Sequence, residues 1–147
     1  MVVNKTIILA IVILVVLIIP FSIIHEFSHA LVCHLEGHSY EVKVGIYVPS
    51  SMICVGNVTN IDAFRAAGGV IAATIAGITG IIVKPKFLKI ALYSISIGHL
   101  LNAVIETLFY QTYINENLWQ LIFGLADAVI FIGITFLMIK KSTLKIS

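Results

Sequence analysis

Four apolar runs, each of about twenty residues, leave this chain few folds to choose from. The first, TIILAIVILVVLIIPFSII from Thr6 to Ile24, contains no charged side chain. A run of that length is what a helix needs to cross the hydrocarbon of a bilayer, at about 1.5 Å per residue. Composition agrees: only 11% of the 147 residues are charged, against about 25% in an ordinary soluble domain. The expected fold is an all-α membrane protein, one polytopic domain over residues 1–147. Its helices are expected over about 5–35, 63–83, 87–110 and 118–139. Lys5 precedes the first run as a short basic region, yet no small-x-small cleavage site precedes the histidines that follow. A retained helix, not a cleaved leader, is expected. Pro20 is expected to interrupt or kink it.

One segment breaks the pattern. In residues 40–60, YEVKVGIYVPSSMICVGNVTN, Val42, Val44, Ile46 and Val48 alternate with other residues and Pro49-Ser50-Ser51 punctuates the run. That reads as a short β-hairpin between the first and second helices. Its edges cannot face lipid, so protein or water must cover them.

Charge asymmetry orients the chain. Lys5, Lys84, Lys86, Lys89, Lys140, Lys141 and Lys145 are seven of the 9 basic residues, and four spans put all of them on the side of the termini. Glu36, Glu41, Asp62 and Glu116 fall on the other side, with only Lys43 and Arg65. The positive-inside rule then places both termini in the cytoplasm and the hairpin outside. Tyr110, Tyr113 and Trp119 flank the last outer loop, as interfacial anchors do.

Against this background the stretch HEFSH, His25 to His29, is out of place. Ionisable groups deep in a span are costly, so they are usually functional. Residues four apart share one face of a helix. His25 and His29 can therefore bind one zinc ion, and Glu26 beside them can act as general base towards an activated water, the H-E-x-x-H arrangement. Such a site needs a third protein ligand. Asp127, about 13 Å into the last span, matches the depth of His25 and His29, about 15 and 9 Å from the end of theirs. Glu106 is the rival. It shares a stripe with His99 and Asn102 at i, i+3 and i+7, which is expected to face the bundle. His99 is read either as a partner orienting the third ligand or as a core histidine. Cys33, i+8 from His25, is a poor ligand for the same ion because it drifts round the helix. Cys33 and Cys54 read equally as a bridge or as two thiols. His34 and His38, on another face, fit wet interfacial positions better than a second metal site.

The segment HEFSHALVCHLEGH resembles the HExxHA segment of intramembrane metalloproteases of the site-2 protease class. AAGGVIAATIAGI is similar to the small-residue helix that follows it there, and a hairpin lies between the two in that class as well. The likeness covers roughly the first 80 residues. It implies a zinc metalloprotease cutting transmembrane protein substrates within the bilayer, and an Asp as third ligand. It also implies an Asn near the metal, here Asn102, that hydrogen-bonds the substrate carbonyl or the oxyanion; Asn102 reads equally as an interhelical hydrogen-bonding residue. The Asn-Pro and Asp-Gly pairs of that class are absent from the rest of the chain. Two other functions stay open: an inactive membrane protein that binds zinc or a helix, and a metal-ion carrier. Control is expected from a membrane partner or from substrate access. No nucleic-acid partner is expected.

Overall fold

A computed structural model of the protein describes residues 5–44, 50–115 and 117–143; the side chains at 111–115, 117–121, 123–124 and 140–143 are outside that description. Ile46, Val48 and Pro49 of the hairpin, Tyr113, Glu116, Trp119, Lys140, Lys141 and Lys145 therefore lie outside the described residues or side chains. The order is α1 (Lys5–Leu35), β1 (Ser39–Lys43), β2 (Ser51–Val55), α2 (Ile61–Ile82), α3 (Lys86–Asn115) and α4 (Asn117–Thr143). The protein is mostly helical, with the hairpin between α1 and α2 as the sequence predicts. Among the described residues, Lys5–Leu35, Ile61–Ile82 and Lys86–Tyr110 are long and apolar enough to cross a membrane. The apolar stretch of α4, Leu125–Ile139, is shorter.

α1 continues unbroken through Pro20. The backbone leaves helical values instead at Phe109 in α3 (φ −125°, ψ 23°), just beyond the stripe of His99, Asn102 and Glu106. Most of the apolar surface of α1 points outward: Val15 and Val16 are 60% and 58% exposed, a face that belongs in lipid if the helix spans. Only a narrow line of α1 is buried, through Phe21, His25, Ser28, His29 and Cys33.

α2 can lie close to its neighbours because its inner face carries Ala67, Gly68, Gly69, Ala72, Ala73, Ala76 and Gly80. At Gly69 a Cβ would run into the carbonyl oxygen of His99 and into Ala103 on α3, so the two backbones touch there. Ser96 Oγ donates to Ala73 O at 2.8 Å across the same seam. Phe21, Ala72, Ala76, Leu92 and Ile95 form the apolar core where α1, α2 and α3 meet.

The two strands pair antiparallel, with Tyr40 opposite Cys54 and Lys43 opposite Ser51. α1 ends at Gly37, whose φ of 83° is the left-handed value that terminates helices cheaply only at glycine. A disulfide joins Cys33 to Cys54 (Cα–Cα 5.8 Å) and so ties β2 to α1 one turn beyond His29.

The end of α1 is tied to the start of α2 by Glu36. Its Oε2 accepts from Thr59 N at 2.6 Å and its Oε1 from Asn60 N at 3.0 Å. Asn60 in turn caps α2 by accepting from Ala63 N. The two backbone bonds to Thr59 and Asn60 hold the Glu36 carboxyl below its ordinary value. Its contribution to stability is thus present above the unfolded-state value and is lost as pH falls through the folded one. Glu36→Gln is expected to remove that acid-side slope from a plot of melting temperature against pH. An unchanged slope would mean that these bonds do not couple the end of α1 to α2.

Candidate metal centre

His25 and His29 stand on the buried line of α1, one turn apart, 6% and 8% exposed. Their rings meet edge to face with centroids 4.8 Å apart, and their Nε2 atoms are 3.1 Å apart. Glu106 arrives from α3, also buried. Its Oε1 lies 3.2 Å from His25 Nε2 and its Oε2 3.4 Å from His29 Nε2. The three donor atoms lie within 4.8 Å of one another, and the group could hold a metal ion.

α2 finishes the site from behind. His29 Nδ1 is 2.6 Å from Phe64 O. A carbonyl can only accept, so that bond places the proton on Nδ1 and, in a neutral ring, leaves the lone pair on Nε2 facing Glu106. Glu106 Oε2 is buried without a hydrogen-bond partner. Several acceptor positions therefore converge on a space into which His25 Nε2 alone can direct a proton. Two imidazoles and a carboxylate so arranged could hold a metal ion between them.

Gly68 is why α2 can approach so closely. A Cβ there would lie 2.7 Å from His25 Nε2 and would also strike His29 Nε2. Gly68→Ala is expected to displace the imidazoles and to abolish stoichiometric metal binding. Gly133→Ala serves as control, since nothing lies within 4 Å of a Cβ at that position. Metal analysis of the two purified variants checks this. Equal metal content in both would show that α2 does not confine the site.

A cavity of about 320 Å³ opens beside the group. Glu26, half-buried, lines it together with His25, His29 and Glu106. Ser50 to Met52, entering β2, form its rim, and Phe64, Arg65 and Tyr110 complete the wall. The residues expected from the sequence divide accordingly. His25, His29 and Glu26 come together at the cavity, and the carboxylate that joins the histidines is that of Glu106. Asp127 does not join them: it is exposed on α4, and its Oδ1 would be 2.5 Å from a Cβ at Gly98. Asn102 is half-buried and is not part of the cavity wall. His99 stacks on His25 with ring centroids 5.4 Å apart and has a buried Nδ1 without a partner. His38 Nε2 faces Asn57 O at 3.1 Å.

Three members of the site had no signal in the sequence. Phe64 acts through its backbone carbonyl, which every residue has. Arg65 and Tyr110 meet only because α2 and α3 pack. Glu106 did carry a signal, the stripe at i, i+3 and i+7. Comparison of the chain with protein-family models, with curated proteins and with solved structures finds no match.

Proposed function

We propose that this chain is an intramembrane zinc metalloprotease that hydrolyses peptide bonds of transmembrane substrates. The observation that carries this reading is the convergence of His25 Nε2, His29 Nε2 and the Glu106 carboxylate beside a cavity that Glu26 lines. Two histidines and one carboxylate are the donor set of catalytic zinc sites in proteases, with a coordination position left open. Zinc bound there supplies Lewis-acid polarisation of the scissile carbonyl and acidification of a water molecule.

The remaining work belongs to the chain's own residues. Glu26 takes a proton from the attacking water as its oxygen bonds to the carbonyl carbon. It then passes that proton to the leaving nitrogen as the C–N bond breaks. Phe64 O holds His29 in the tautomer that presents Nε2. The substrate is a helix that unwinds locally, because a peptide bond inside a helix is shielded by its own hydrogen bonds. The cavity rim at Ser50–Met52 leads into β2, and a strand edge there can receive the unwound segment. The Cys33–Cys54 bridge suits an oxidising compartment. Together with the lysine distribution it supports the proposed topology, with the hairpin outside and both termini in the cytoplasm.

The test is cleavage of a reporter transmembrane segment by purified protein in liposomes. Cleavage is expected to stop with a zinc chelator and to return with added zinc. Purified protein that is free of metal, or cleavage indifferent to chelation, would overturn the assignment.

A further inference from the structure

The wall of the cavity beside the donor group holds a cation that, among the described residues, forms no ion pair. Arg65 stands in the second turn of α2, and its guanidinium carbon lies 4.4 Å from the centroid of the Tyr110 ring on α3. The stacking contact engages one face of the guanidinium and fixes its plane. Arg65 Nε is buried and, among the described residues, has no hydrogen-bond partner. Among the described residues the ion pairs are those of His25 and His29 with Glu106 and of Lys43 with Glu41, so no carboxylate reaches Arg65. A guanidinium that no partner satisfies is costly to keep in a partly buried wall. Its edge matches a planar acceptor with two oxygens.

We infer that Arg65 is a specificity-determining residue that binds a carboxylate of the substrate next to the scissile bond. The inference rests on the protease reading and deepens it. Arg65 and the donor group line one cavity of about 320 Å³, so a peptide whose carbonyl lies at His25 and His29 passes within reach of the guanidinium. The charge balance favours the same ligand. With a divalent ion bound, Glu26 and Glu106 offset the metal, and the Arg65 charge is left over to attract an anion. The carboxylate comes either from an acidic side chain at the membrane surface, where the first turns of α2 lie in the proposed topology, or from a free C terminus. The first source gives an endopeptidase selective for acidic juxtamembrane segments, the second a carboxypeptidase.

Four fluorescein-labelled peptides separate the sources. They share one apolar sequence, carry Glu or Gln at one position, and end in a free or an amidated C terminus. Binding is read by anisotropy on full-length Glu26→Gln protein in micelles, which does not need turnover, with zinc and again in chelator. A gap of about tenfold or more is expected, as a charge-assisted bidentate contact gives. A Glu-over-Gln gap assigns the side chain, and a free-over-amidated gap assigns the terminus. The gap is expected to survive chelation, which separates Arg65 from the metal, to vanish on adding Arg65→Gln, and to persist in part with Arg65→Lys. Melting curves and zinc content show whether the variants fold. If Arg65→Gln does not, Arg65→Lys and the four-peptide comparison on intact Arg65 decide. Equal binding of all four peptides, or an equal loss for all four in the variants, overturns the inference. A gap in protein that never cleaves the reporter would leave the carboxylate site standing and remove the protease.

Discussion

Glu26→Gln is expected to retain one zinc ion per chain and to slow cleavage by about 10²–10⁴-fold, the range a positioned general base contributes. The expectation follows from where Glu26 stands. It is next in sequence to His25 but lies outside the buried donor group, half-exposed to the cavity. Gln keeps the length and the hydrogen-bonding tip of the side chain and removes only its capacity to accept a proton and carry it to the leaving amine. Two measurements on the same preparation are required: zinc per chain by elemental analysis, and initial rates on the reporter. Loss of zinc together with activity would make Glu26 a ligand or a structural residue. Activity within a few-fold of the parent would remove its role as base, and with it the proposed mechanism.

The second large effect concerns the third ligand. Glu106→Ala is expected to lose zinc by more than the 10–100-fold that changes behind a ligand typically cost, and Asp127→Ala to keep it. Removing Glu106 takes away the carboxylate that reaches both imidazoles, at 3.2 and 3.4 Å. Asp127 lies against Gly98 on the far side of α3 from α1 and has no such contact. Competition against a chelator of known affinity measures both variants on one scale. The reverse order, with zinc lost from Asp127→Ala and kept by Glu106→Ala, would mean that α4 moves in to complete the site and that the observed triad is not the ligand set.

The consequences for topology follow from the same residues. His25 and His29 are about 15 and 9 Å from the end of α1 by helical rise, and the hairpin is tethered to that end by Cys33–Cys54. The site is therefore sunk below the surface that the hairpin covers, and the approach to it runs past Ser50–Met52. In the proposed mechanism substrate access and catalysis share that opening, with Glu36 bonding the end of α1 to the residues that begin α2.

Much of this was legible in order along the chain because the relevant physics is local. Hydropathy over about twenty residues sets which helices can cross a bilayer. Alternation at Val42 and Val44 marks a strand, and a four-residue spacing puts His25 and His29 on one face whatever else the chain does. Those properties depend on neighbours in sequence, so the sequence by itself determined the helices, the hairpin and the paired imidazoles. The partner of that pair is decided across helices, by how closely backbones pack. Gly68 and Gly69 let α2 settle against both α1 and α3, and that approach brings Glu106 to the histidines while α4 keeps Asp127 at Gly98. Depth along the membrane normal, which suggested Asp127, is shared by any residue at the same height. Only the tertiary structure assigns direction around each axis, and with it Glu106, the Phe64 carbonyl and the Arg65–Tyr110 wall.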